Sequence, residues 1–205
     1  TTEIYTLSLH DALPISDDLI QEYLYKRIII FNKSVDSGIL EKIALYILKW
    51  NAEDKDIPVD KRKPIWLYTQ SPGGSVIAGF NVIDVIASSQ TPVYTLCFSQ
   101  CCSMGFHIFI AGHKRYAFKN SILMMHDGEI SVSNSSSKAK DTMKFFDTME
   151  KRIKYYTISR TAIDSDTYDN MYEKEYYMYA NDEAKSLGCV DYIIGEDVQL
   201  DEIIY

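Results

Sequence analysis

The 205-residue sequence predicts a single α/β domain in which βαβ units build a largely parallel sheet. Three observations predict it. Short β-branched apolar runs, such as Arg27 to Phe31 (RIIIF) and Pro64 to Gln70 (PIWLYTQ), have the length and residue types of buried strands. Between them lie stretches with apolar residues at helical spacing, as in Ile39, Ile43, Tyr46, Ile47 and Trp50. The two kinds of segment alternate along the chain, which favours parallel pairing through crossover helices.

Taken in order, Asp17 and Asp18 sit where acidic side chains favour a helix N-terminus, ahead of LIQEYLYK. The strand at Arg27 to Phe31 and the helix at Ile39 to Trp50 follow. Asn51 to Lys63 is polar, contains Pro58 and reads as a surface loop. After the strand at Pro64 to Gln70, Gly73 and Gly74 turn the chain into a helix over Val76 to Ser88. Thr91 to Cys97 is a third strand, followed by Ser103 and an apolar run to Ala111. Tyr116 to Phe118 and Ser121 to Met125 read as further strands, and Asn134 to Lys140 as a mobile loop. The next helix carries Met143, Phe146, Met149, Ile153 and Tyr156 on one stripe, which by itself reads as core packing. There is no internal repeat and no second domain boundary, so one domain is expected over residues 17–205.

Residues 1–16, TTEIYTLSLHDALPIS, stand apart. Their apolar run is too short for a targeting segment and no basic residue precedes it. Thr1 to Ile15 back-translate to a string that resembles a sequencing-library adapter read in one frame, so the segment, including His10, is set aside as non-native.

Composition excludes several classes. No run of about 18 apolar residues occurs, so no transmembrane helix is expected. The net charge of −8 is spread among interspersed acidic and basic residues, which favours solubility, and the absence of a Lys/Arg cluster argues against nucleic-acid binding. Cys97, Cys101, Cys102 and Cys189 form no CxxC pair, which argues against a zinc site or a disulfide framework. They read as small buried thiols in a reducing, cytoplasmic compartment. The 16 tyrosines have no reading beyond core and interface packing.

Three short motifs bear on chemistry. Ser71-Pro72-Gly73-Gly74 is either an ordinary strand-to-helix turn or one half of an oxyanion hole made of backbone amides. Cys102-Ser103-Met104-Gly105 places a serine where a strand opens into a helix, either as a helix cap or as a nucleophile beside the positive helix end. His126, in LMMHDG, ends an apolar strand, where a histidine is either structural or a general base. His107 and His113 compete for that role. His107 lies four residues after Ser103 on an apolar helix and should face the core, whereas His113 belongs to a basic, solvated turn.

Together, SPGG, SMG and MMH in this order resemble the ClpP family of self-compartmentalised serine peptidases, over Arg27 to about Ile194. SQCCSMG (Ser99 to Gly105) is similar to the family's GQAASMG, and the 29-residue step from Gly74 to Ser103 matches. AGFNVIDVI (Ala78 to Ile86) and DEAKSLGCVDYII (Asp182 to Ile194) resemble its AGxxIYDxI and EAxEYGLVDxI segments. The resemblance implies a ClpP/crotonase-like spiral of βαβ units with a protruding handle helix. It also implies Ser103 as nucleophile, His126 as base and the amides of Gly74 and Met104 as oxyanion hole. Gly128 to Ser133 falls where a substrate strand pairs, and the Met143–Tyr156 stripe on the helix through which two rings dock. The implied function is cleavage of unfolded polypeptides by two stacked heptameric rings fed by a hexameric AAA+ unfoldase. No metal or cofactor is implied, ATP being used only by the unfoldase.

The pattern breaks at the third triad member, an aspartate in the family. Counting back from Gly188 places Tyr172 there; aligning on Tyr-Tyr-Met, with one inserted residue near Asn181, places Met171. Neither orients an imidazolium. Asp169 and Glu173 lie close by, and Asp169, in a polar stretch able to adjust, is the candidate. Three rivals follow: a non-catalytic ring subunit, a crotonase-like acyl-CoA enzyme, and a phage head-maturation protease.

Overall fold

The computed structural model describes residues 17–129 and 135–204. Helix α1 (Asp17–Tyr25) leads into β1 (Ile28–Phe31). A wide turn at Leu40–Ala44 opens α2 (Leu45–Glu53). Then come β2 (Ile65–Ser71), α3 (Val76–Ser88), β3 (Val93–Cys102), α4 (Met104–Ile110), β4 (Lys114–Phe118) and β5 (Ile122–Met125). The long helix α5 (Ser136–Arg160) is followed by α6 (Ser165–Tyr172), β6 (Tyr176–Tyr179), β7 (Tyr192–Ile194) and α7 (Asp201–Ile204). The expected parallel sheet is present in the order β1-β2-β3-β4-β7. α3 begins where Ser75 caps it, its hydroxyl accepting from the Ala78 amide, and it buries Ala78, Val82, Ile83 and Ile86.

β3 is longer than its apolar run predicts, because it serves two partners. Its first half, Tyr94–Cys97, pairs with β4, and its end, Gln100–Cys102, pairs with β5. Between the halves the register against β2 slips, four residues of β3 spanning two of β2, and Phe98, Ser99 and Gln100 become exposed. Past the irregularity the end of β3 still pairs with Ser71 of β2 on one side but exchanges β4 for β5 on the other, and β6 adds to β5 in antiparallel register. This fork puts Ser103 and His126 at neighbouring strand ends.

One core lies under β1 and β2 against α2, α3 and Met104, and a second beneath α4, β5, β6 and α6. Four of the tyrosines have a place on the far side of the sheet. Trp66, Tyr68, Tyr94, Tyr116 and Tyr192 cover it, with ring centroids 4.9 to 6.2 Å apart. The stripe on α5 divides: Met149 and Ile153 are buried, Phe146 and Tyr156 are partly buried and Met143 is half exposed; no residue from Ser136 to Thr148 is buried, and Phe145, off the stripe, is half exposed as well. The helix also starts earlier than expected, running through Ser136–Lys140, a stretch whose serines and lysines read as a loop.

Arg27 and Asp54 brace the edge of the sheet. The guanidinium forks onto the carboxylate at 2.6 and 2.7 Å, and the Thr91 hydroxyl donates to it at 2.9 Å. The Asp54 side chain is 2% exposed. Asp54→Ala is expected to cost about 3 kcal/mol in denaturant unfolding, because it leaves the mostly covered Arg27 guanidinium with only the Lys63 carbonyl at 3.2 Å and the Glu53 carboxylate at 3.9 Å. The Arg27 hydrogen bonds hold the Asp54 carboxyl below its usual pKa of 3.8. The stability it contributes is therefore present above that value and lost as pH falls through the lower folded-state pKa. The gap between variant and wild type should narrow below about pH 4.

Candidate active site

Ser103 occupies the one-residue turn between β3 and α4. Its backbone has φ 52° and ψ −124°, a strained region for a residue with a Cβ. Its side chain makes no capping bond to α4, so the helix-cap reading fails. Two neighbours hold the turn. The Ser103 amide donates to the Met124 carbonyl at 2.8 Å. Gly73 presses against it from the other side: a Cβ on Gly73, at φ +98°, would lie 2.6 Å from Ser103 Cβ. Sharp strand-to-helix turns of this kind present a nucleophile at the top of a sheet.

His126 follows the last residue of β5 and is partly exposed. Cys102 pairs with Met124 across the parallel β3–β5 ladder, so Ser103 and His126 leave adjacent strands in the same direction and nearly level. Among the described residues, no protein hydrogen bond engages either the Ser103 hydroxyl or the His126 ring. Such bonds are often loose until substrate binds.

The two amides expected to form an oxyanion hole are free. Val35 bridges to Gly74 in parallel fashion, using the Gly73 carbonyl and the Ser75 amide. That pattern leaves the Gly74 N–H turned away from Val35. A side chain could not replace this glycine, since its Cβ would lie 2.4 Å from the Val35 carbonyl oxygen at φ +141°. The Met104 N–H starts α4 and has no intrahelical acceptor. Among the described residues neither amide donates to a protein group.

The carboxylates are arranged differently from the expectation. Asp169 is exposed on α6, and Lys154 Nζ donates to both its oxygens at 2.6 and 2.7 Å; no hydrogen bond joins it to His126. The structure does not bring Asp169 to the His126 ring. Glu173 is exposed just after α6. Met171 is buried in the second core, and Tyr172 stacks on Tyr168 while its carbonyl accepts from the Asp127 amide at 2.7 Å. Among the described residues no carboxylate is hydrogen-bonded to the His126 ring; Glu175 is exposed and immediately precedes β6. The antiparallel β5–β6 ladder ends at Met125 and Tyr176, and the Asp127 amide then reaches the Tyr172 carbonyl, so the register shifts over the Glu173–Glu175 segment that passes His126. Glu175 shares its face with Tyr177, whose hydroxyl donates to Glu175 Oε2 at 3.3 Å. The negative charge of Glu175 also reaches Cys102. The pairing of YYMY with ILMM, rather than a residue count, is what brings the Glu173–Glu175 segment toward the end of β5.

Cys102 flanks Ser103, but burial pushes its thiol up to about 11, which keeps it protonated and a poor nucleophile at neutral pH. All four cysteines are free and buried, as expected. His113 stands at the opposite end of β3, its Nδ1 2.9 Å from the Val93 amide. His107 is buried, as expected, directly beneath Ser103. Of the expected substrate segment, Gly128 and Glu129 are exposed, and residues 130–134 lie outside the described residues, as does the segment set aside at 1–16.

A family model described as Clp protease matches residues 14–197. The match spans most of the chain and takes in the glycine turn, the Ser103 turn, the end of β5 and the start of β6. With that span behind it, the chain belongs to the Clp protease family and is a peptidase.

Proposed function

We propose that this peptidase is a serine endopeptidase acting on unfolded polypeptides, with Ser103 as nucleophile, His126 as general base and Glu175 as the carboxylate that orients His126. The observation that carries the reading is the strained, uncapped Ser103 turn set level with His126 at the fork of β3. His126 takes the Ser103 hydroxyl proton as the oxygen attacks the scissile carbonyl. The Gly74 and Met104 amides hold the resulting oxyanion. His126 then protonates the leaving amine, giving an acyl-enzyme. It next deprotonates a water that releases the new carboxylate and restores Ser103. Every step uses groups of the chain and water, so no metal or cofactor is needed.

The family supports an assembly of two stacked heptameric rings served by a hexameric AAA+ unfoldase, with ATP consumed only there. The unburied half of α5, with Met143 and Phe145 half exposed, fits a ring-docking role better than Ile153, which is already buried within the single chain. The test is covalent labelling with a fluorophosphonate of protein lacking residues 1–16. Wild type is expected to label and Ser103→Ala is not. An intact assembled ring that takes no label would overturn the reading in favour of a non-catalytic subunit.

A further inference from the structure

His107 follows Ser103 by one helical turn and is 4% exposed. Its Nδ1 lies 2.9 Å from the Ser103 carbonyl oxygen. A carbonyl only accepts, so Nδ1 carries the proton and donates, and Nε2 keeps a lone pair. That Nε2 is buried without a hydrogen-bond partner among the described residues. A phenylalanine would fill the same slot, beside Phe106 and Tyr156, and leave no polar atom unsatisfied. The histidine therefore carries a burial cost, and its one compensating side-chain contact is with the nucleophile's own carbonyl.

That carbonyl matters because of what shares its peptide plane. The Ser103 C=O and the Met104 N–H belong to one rigid amide and point in opposite directions. Fixing the oxygen fixes the direction of the N–H, and the strained dihedrals of Ser103 give the plane a tendency to relax. Two helix amides also reach the oxygen, Phe106 N at 3.0 Å and His107 N at 3.3 Å. The imidazole is the closest of the three donors. We propose that His107 is a positioning residue: its Nδ1–H clamps the Ser103–Met104 peptide so that the Met104 N–H stays aimed at the oxyanion. This rests on the serine-peptidase reading above. Burial pushes the His107 pKa down to about 4, so the ring stays neutral with one fixed donor at physiological pH. The Tyr156 hydroxyl donates to the His107 carbonyl at 3.0 Å, anchoring this residue to α5.

The test compares three replacements in the assembled protein, by kcat and KM on a short peptide and by the rate of fluorophosphonate labelling. His107→Phe keeps the bulk and loses the donor, and is expected to lower kcat and the labelling rate about tenfold with KM within twofold. His107→Asn places an amide N–H near the Nδ1 position and is expected to return kcat to within about threefold of wild type. His107→Gln places its donor near the Nε2 position and is expected to behave like the phenylalanine variant. Wild-type kcat in His107→Phe, or asparagine no better than glutamine, overturns the proposal. Should His107→Phe not fold, the asparagine–glutamine comparison decides alone. Absent labelling of the wild type sinks the serine reading itself and this proposal with it, whereas equal labelling of wild type and all three variants sinks only the clamp.

Discussion

Ser103→Ala and His126→Ala are each expected to lower turnover of an unfolded polypeptide by about 10⁶-fold, and the double variant by no more than either single. The two side chains act as one unit. Without the base the hydroxyl stays protonated and weakly nucleophilic, and without the hydroxyl the base has nothing to activate. The free Gly74 and Met104 amides survive both changes, so a residue of catalysis over water should remain. Neither side chain makes a hydrogen bond that supports the fold among the described residues, so assembly by sedimentation and thermal unfolding should be unaltered. Losses that multiply in the double variant would show that the two act separately. Retention of more than a tenth of wild-type turnover in His126→Ala would show that another group serves as base. His107 is a poor substitute, since its Nε2 is buried and its Nδ1 proton is committed to the Ser103 carbonyl.

Much of this site was legible in the sequence, for physical reasons that can be named. Gly73 and Gly74 both adopt positive φ and both lie where a Cβ would collide with backbone, so the doubled glycine after an apolar strand pointed to its place. Ser103 could be recognised because it follows the buried pair Cys101–Cys102 at a strand end and opens a fully buried helix. The α3 helix runs over the predicted Val76 to Ser88, its apolar residues spaced at the helical period and its cap supplied by Ser75.

What escaped was long-range. β3 runs past its apolar run because pairing with β5 continues it through Ser99 and Gln100, whose polarity breaks the pattern of a buried strand. β6 was not anticipated because YYMY is four residues long with three of them partly or wholly exposed, too short for a period to emerge. Its antiparallel direction departs from the alternating pattern that predicted the rest of the sheet. The candidate carboxylate Glu175 immediately precedes that strand. Beyond β6 the chain makes an irregular wide turn at Ala180–Ala184, kinked at Asp182, and counting across such a turn is insecure. The stripe on α5 shows the same limit: helical spacing groups Met143 with Ile153, and only the packed fold reveals that one is half exposed and the other buried.

Glu175→Gln is expected to lower kcat by about 10⁴-fold, the scale on which a serine triad loses activity when its carboxylate becomes an amide. The carboxylate holds the base in the tautomer whose free nitrogen faces the serine and stabilises the imidazolium that forms. An amide of the same shape can do neither reliably. Glu175 is the candidate because it immediately precedes Tyr176, which pairs with Met125, the residue before His126, and because the Tyr177 hydroxyl donates to its Oε2. Asp169→Asn is expected to leave kcat within threefold, because its carboxylate is taken by Lys154 on α5. Loss of that exposed pair should cost at most about 1 kcal/mol of stability. Glu175→Asp tests geometry separately from charge: one methylene shorter, it should retain more activity than the glutamine while falling short of wild type. Tyr177→Phe removes the hydroxyl that steadies Glu175 and should cost only a few-fold, since the exposed bond is 3.3 Å long. The two carboxylates thus make opposite forecasts in one peptide-hydrolysis assay. If Asp169→Asn is the variant that fails while Glu175→Gln keeps its turnover, α6 must rearrange on substrate binding, release Lys154 and bring Asp169 to the imidazole.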